Sequence, residues 1–445
     1  MKKKNIVKSS QSKVYILLAA VLIIGWIVTL ALLTDNSDEE EQHRLYEQAK
    51  AFEEDEIYIR AANSLNEALN YTTDHNPQIE EKLLEVYKAG GFEEEYADFA
   101  TKRIESDTAS RDEYYDVANY LLSRGDTSGA VLILKKAVKK YPDDEEFAKL
   151  YDGNRFVVTE AETEYPDYLA PTSLHSIPVS NGEKWGYATN NGRKLIDCTY
   201  SEVLPFFGDY AVVKKSNVYE LIDSAENRWA LDKNGLDEVV MFVNNIVVGK
   251  KDNSYALYSR NFTKLSEEDY EDAVVNENGL ICVKKGGKWA ILDSDLKKVT
   301  DFVFTDMVKN SRGQIFKGRL AMAADDGGYF LIDDTGAARF DARFKGAKGA
   351  EGGPIAVKDN SGKWGFINLD GNLLIPCEYA DAKSFSCDVA AVYYAGNWSY
   401  ISTRKETVIP GNFVEAEPFV DGYTVVKNEL GICSVLKLTY YEYYK

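Results

Sequence analysis

Histidine and cysteine are scarce and scattered in this 445-residue sequence. His43, His75 and His175 are the only histidines, and Cys198, Cys282, Cys377, Cys387 and Cys433 the only cysteines. There is no HExxH and no CxxC, so the ligand spacings of a zinc protease or a structural zinc site are missing. An odd, widely spaced cysteine set is not a disulfide framework. These residues read as small, reduced, buried strand positions, with a disulfide or a reactive thiol as the alternative. No GxSxG elbow occurs, and Gly286-Gly287-Lys288 is followed by Trp289 where a phosphate loop needs Ser or Thr. Positive charge is also in deficit. Lys and Arg number 52 against 72 Asp and Glu, a net charge of −20, which excludes the basic face that nucleic acid requires. Asp293 and Asp295 could pair as a glycosidase does, but neighbouring carboxylates arise constantly in so acidic a chain. The expectation is a chain without catalytic, cofactor or metal residues.

What is present begins with Lys2, Lys3, Lys4, Lys8 and Lys13. Residues 14–33 then run uncharged for the length of a membrane-crossing helix, followed by Asp35, Asp38 and Glu39. The run is longer than a signal-peptide core and lacks an Ala-x-Ala cleavage pattern. It predicts an uncleaved signal anchor over 14–33, a cytoplasmic tail over 1–13, and the remainder outside the cell membrane.

Residues 34–152 predict helices: few glycines, with apolar residues at three- and four-residue spacing. Tyr114, Val117, Ala118, Leu121, Gly125, Ala130, Leu134, Ala137 and Pro142 resemble, place for place, a tetratricopeptide repeat. Small residues sit where paired helices cross, a glycine in the turn, and a proline after the second helix. Tyr96-Ala97 after Gly90-Gly91, and Leu45, Ala49, Phe52, Ala61, Leu65 and Ala68, fall in the same register about 34 residues apart. Three helical hairpins follow from this, a generic helical stalk being the alternative. Residues 153–172, with Pro166 and Pro171, lose the period and read as a linker.

From 173 to 445 the sequence repeats. Trp185, Tyr219, Tyr255, Trp289, Tyr329, Trp364 and Trp398 open seven units at intervals of 34, 36, 34, 40, 35 and 34, the long one carrying extra residues near Lys309–Phe316. Seven residues after the opener comes a turn, as in Asp370-Gly371. Fifteen after it stands a second aromatic: Tyr200, Tyr270, Phe304, Phe344, Tyr379 and Phe413, with Asn234 departing. A β-rich run such as Ile246-Val247-Val248 or Ala390-Ala391-Val392 follows. Each unit therefore predicts a hairpin and a third strand, able to bury its aromatics only by stacking on its neighbours.

Lys184-Trp185-Gly186-Tyr187 and Lys363-Trp364-Gly365-Phe366 resemble the WG repeat, a β-rich unit of bacterial proteins. The resemblance covers about residues 176–440. It implies an all-β interaction domain and carries over no catalytic residue. Ser176-Ile177-Pro178-Val179 reads as a third strand without its hairpin, and residues 429–441 as a hairpin without its third strand. Joined, they would complete an eighth unit and close a propeller-like toroid, with an open β-solenoid as the alternative.

The fold class expected is multidomain α and β: one transmembrane helix, a tetratricopeptide-like hairpin array and an all-β repeat domain. The combination resembles cell-envelope proteins of monoderm bacteria. The function expected is a membrane-anchored, extracytoplasmic scaffold whose helical groove takes a protein or peptide and whose β array meets a second partner. Cell-wall polysaccharide binding, and a hydrolase with its site in the β domain, are the alternatives. Membrane contact would run through 14–33, and nucleic acid is not a partner.

Overall fold

The computed structural model describes residues 24, 38–168, 176–231 and 236–441. The chain divides into two compact units, Met1–Asp143 and Asp144–Lys445.

The first unit is helical: α1 (residues 38–54), α2 (Tyr58–Ala68), α3 (Asn76–Gly90), α4 (Glu93–Glu105), α5 (Arg111–Ser123) and α6 (Thr127–Lys140). From α2 to α6 each helix packs against the next in chain order. Gly91 ends α3 in the left-handed region at φ 70°, where glycine carries no steric cost. Ser110 and Glu113 form a reciprocal capping box on α5. The apolar stripes meet in the core through Leu45, Ala49, Ala61, Leu65, Ala118, Ala130 and Leu134. The buried Arg103 ties three helices together, bonding Glu113 at 2.8 Å and pairing with Glu80.

The structure corrects the expected membrane helix. Among the described residues, no helix is long and apolar enough to cross a membrane. The longest, α1, rises only about 25 Å against a hydrocarbon core of about 30 Å, and it is studded with charges from Asp38 to Glu54. Residues 14–33, Ile24 apart, lie outside the described residues. The single-pass placement in a cell membrane falls with the span, and the fold class becomes a helical region followed by a β-rich region.

The second unit opens with α7 (Glu145–Asn154) and then builds eight small antiparallel blades in chain order, the last two joined through the long strand Thr407–Ala416. Blade 6 shows the plan: Gly346–Ala347, Ile355–Lys358, Trp364–Ile367 and Leu373–Tyr379, each strand paired with the next. The β-rich run thus precedes its opener within one blade, across the short turn at Ser361-Gly362. The expected unit, a hairpin followed by that run, straddles two blades. Ser176–Ser180 accordingly pairs with Trp185–Thr189 inside blade 1 and is no part of an eighth unit.

Blade 8 is completed from elsewhere. Phe156–Glu162 pairs along its whole length with Cys433–Tyr440, placing Val158 opposite Leu438 and Ala161 opposite Val435. This closing strand comes from the stretch expected to be a linker. Its β-branched start, Phe156-Val157-Val158-Thr159, suits a strand, and the prolines that suggested a linker follow it. The two ends of the array also share a core. Ile177, Val179 and Ala188 of blade 1 pack with Val425 and Val435 of blade 8. Every other neighbouring pair of blades shares such a cluster, so the blades form a closed ring.

Closure explains the sequence of the β-rich runs. A strand between two blades buries both faces, and alternation sends successive side chains to opposite neighbours. Ile355 and Val357 face the core shared with blade 5, whereas Ala356 faces that shared with blade 7.

The Trp-Gly pair has an equally direct cause. Six of the seven openers pair across the third and fourth strands with their second aromatic, among them Trp185 with Tyr200, Tyr255 with Tyr270 and Trp364 with Tyr379. Tyr219 instead meets Leu231, in the unit that lacks the aromatic. Register shifts beside the opener press the fourth strand onto the next residue. A Cβ on Gly365 would lie 2.6 Å from the Ile375 carbonyl oxygen, and one on Gly186 2.5 Å from that of Ile196. Blade 7 has Ser399 there, and the glycine moves to the facing strand. A Cβ on Gly411 would lie 2.8 Å from the Trp398 oxygen.

Gly365→Ala is expected to cost about 1–3 kcal/mol by overpacking against backbone. Gly153→Ala, in α7 with nothing near the added methyl, is expected to be neutral or stabilising by up to about 1 kcal/mol. Urea unfolding of both variants checks the contrast.

Candidate functional site

The extra residues that lengthen the fourth interval lie between the first and second strands of blade 5, Asp306–Met307 and Leu320–Asp325. They run into the centre of the ring. Asn276 of blade 4, wholly buried, accepts the backbone N–H groups of Ile315 and Phe316 at 2.8 and 2.9 Å. Glu277 grips the Arg312 guanidinium with both oxygens, at 3.0 and 2.8 Å. On the other side Glu351 of blade 6 accepts the Ser311 N–H at 2.7 Å, and Asn310 donates to the Ala350 carbonyl at 3.3 Å. Arg312 also lies over the Phe207 ring of blade 2, 4.8 Å from its centroid. A segment that touches blades 2, 4 and 6 from blade 5 can do so only near the axis.

The segment holds its own shape. Asn310 Oδ1 accepts the N–H groups of Arg312 and Gln314, both at 3.0 Å, an Asx-type turn. Gly349 lets it approach, since a Cβ there would fall 2.5 Å from the Asn310 backbone.

Beside this plug remains a cavity of about 190 Å³. Blade 5 contributes Asn310, Arg312, Gln314 and Lys317, and blade 6 contributes Glu351. Ser386 and Cys387 come from blade 7, Phe419, Val420 and Asp421 from blade 8. Gln314 is 1% exposed, yet its Nε2 has no hydrogen-bond partner among the described residues, and neither has Arg312 Nε. Burial pushes the Glu351 carboxyl above its ordinary range, opposed by the Ser311 amide and the Lys317 charge.

The helical unit carries a second concavity, of about 460 Å³, between α3, the start of α4, and α5. Tyr87, Tyr96, Tyr115 and Tyr120 line it with Lys88, Asp116 and Asn119. Asp116 accepts the Tyr96 hydroxyl at 2.9 Å and pairs with Lys88.

The residues weighed for chemistry fall elsewhere. Asp293 accepts the N–H groups of Asp295 and Lys297 in a tight turn, and Asp295 pairs with Lys297. His43 and His75 are exposed on the helical unit, and His175 lies outside the described residues. All five cysteines are free thiols. Cys198 and Cys377 share their register, each in the fourth strand of its blade with its Sγ near a carbonyl of the second strand. Full burial pushes Cys282 up to about 12. Sequence reasoning misses Asn276, Glu277, Gln314 and Glu351, for which the long interval is the available signal.

A closed ring of eight antiparallel blades, completed by a strand from the N-terminal side, is a β-propeller. Within it, the WG containing repeat matches residues 185–219, 269–289, 364–398 and 398–429. No curated protein matches the chain. Among solved structures it is similar to PorZ, an essential surface component of the type-IX secretion system of Porphyromonas gingivalis. Identity is 9% and the TM-score 0.29, over 61% of this chain and 42% of that one, so the chain spans less than half the length of PorZ. It is similar also to YCF48 from Cyanidioschyzon merolae (14% identity, TM-score 0.30, 63% of this chain and 98% of that one). The AfRom2 CNH domain gives 9%, 0.31, 63% and 99%. At these scores the likenesses carry no argument.

The raised Glu351 carboxyl has a stability consequence. The folded state favours the proton, so this stability is present at low pH and is lost as pH rises through the raised value. Glu351→Gln keeps an acceptor for the Ser311 amide and removes the titration. The variant is expected to show a flatter pH dependence of its urea midpoint above the ordinary carboxylate range, and to exceed the parent at the upper end. An unchanged slope contradicts the assignment.

Proposed function

We propose that this chain is a non-enzymatic scaffold. Three tetratricopeptide-like hairpins take a protein or peptide, and the WG-repeat propeller meets a second partner. The observation that supports this most is the tyrosine-lined concavity between α3 and α5. Tyr115 and Tyr120 are half-buried on its wall, and large amphipathic rings of this kind anchor interfaces at low entropic cost. The Lys88–Asp116 pair supplies charge of both signs beside them.

Little favours the alternatives. Three of the opening aromatics that would stack on sugar rings lie in the core, Tyr219 at 2%, Trp289 at 3% and Trp364 at 9% exposure, and the other four are half-buried. The Asp293 and Asp295 pair that would serve a hydrolase is taken up in a turn.

Panning a random peptide library on the full chain tests the reading. It is expected to return sequences whose binding falls at least about tenfold, or about 1.4 kcal/mol, in Tyr120→Ala. Failure to return any sequence, or sequences indifferent to both Tyr115→Ala and Tyr120→Ala, contradicts it.

A further inference from the structure

We propose that the cavity at the centre of the propeller is a binding site for a carboxylate group, held by Gln314, Arg312 and Lys317. The site stands apart from the helical concavity and does not depend on it.

The first support is that the site is built. The segment from Asn310 to Phe316 is fixed on both sides, by Asn276 and Glu277 from blade 4 and by Glu351 from blade 6. A loop held this firmly has no need to leave polar groups unmatched. Yet two buried nitrogens on one cavity wall lack a partner among the described residues, Gln314 Nε2 and Arg312 Nε. Buried polar groups are paired in the great majority of cases, so two orphans beside one void point to an occupant.

The second support is the chemistry of the orphans. Both are donors. Glu277 takes one N–H from each terminal nitrogen of Arg312, and the Nε–H is left without a partner among the described residues. Lys317 lines the same cavity and forms no salt bridge among the described residues. An amide, one guanidinium nitrogen and an ammonium together match an anionic oxygen pair, and charge-assisted hydrogen bonds of this kind are short and strong. The acids on the wall do not reverse this. Glu351 is engaged by the Ser311 amide, and Asp421 stands at the exposed rim. Phe419 and Val420 supply an apolar surface for the carbon chain that bears the carboxylate. The volume admits one small organic group.

That group comes either from a free small dicarboxylate or from the carboxyl terminus of a polypeptide, and the same experiment separates them. The full chain is titrated with succinate, with a hexapeptide bearing a free C-terminus, and with its C-terminally amidated form, using calorimetry. In parallel, the alkylation rate of Cys387, half-buried on the cavity wall, is followed by mass spectrometry. A carboxylate probe is expected to bind and to slow Cys387 alkylation at least about fivefold, and Lys317→Gln to weaken binding about tenfold. Gln314→Leu is expected to abolish it. Should that variant not fold, Lys317→Gln and the alkylation readout still decide. Binding of succinate assigns a small metabolite-like acid; binding of the free but not the amidated peptide assigns a polypeptide terminus. Absence of binding and protection with every carboxylate overturns the proposal, as does equal binding of the amidated peptide or indifference to Lys317→Gln.

Discussion

The propeller depends on one backbone ladder, between Phe156–Glu162 and Cys433–Tyr440. Without it blade 8 is left with an open edge at Cys433–Tyr440, next to the core it shares with blade 1. With it blade 8 is complete, in a ring where every blade is pressed between two others and strands buried on both faces can carry continuous apolar runs. Arg155 sits at the foot of this ladder. It pairs with Asp152 at 2.9 Å and Asp388 at 3.0 Å and lies over the Phe156 ring at 4.4 Å. The chain is thus turned from α7 directly into the closing strand. The turn glycines record the same cyclic contact. Gly371 of blade 6 abuts Phe340 of blade 5, Gly336 of blade 5 abuts Thr300 of blade 4, and Gly192 of blade 1 abuts Thr163, just past the closing strand.

Much of this is legible in the sequence because the repeat is enforced by packing. The fifteen-residue spacing from opener to second aromatic is a cross-strand pair, and the glycine after Trp is a close backbone approach; both are local and periodic. The phase of the repeat is not legible, since a period fixes the length of a unit but not its origin. The closing strand escapes because its partner lies some 270 residues away and nothing periodic marks it. A twenty-residue uncharged run suggests a span on length and hydropathy alone, and no described helix combines those two properties.

The central site shows where periodic reasoning fails. Its residues occupy loops that differ from blade to blade, so no register connects Asn276, Arg312, Gln314 and Glu351. Only the surplus residues before Leu320 betray them. A regular ring leaves an axial gap, and an irregular insertion is what the chain uses to fill it. The filling is tight where Asn276 and Asn310 clamp backbone amides and incomplete where Gln314 and Arg312 face the remaining void.

Hydrogen exchange is the most direct measure of ring closure. In the full chain, amides of Cys433–Tyr440 should exchange as slowly as those of central strands such as Ile281–Lys285, because each is paired on both sides. In a chain shortened to begin at Thr163, exchange should accelerate in the last strand and also in Ser176–Ser180 of blade 1, whose packing partner Val435 lies on that unsupported strand. If the shortened chain protected both strands as before, the ring would not depend on the closing ladder, and the ladder would lose its place as the constraint that holds the propeller shut.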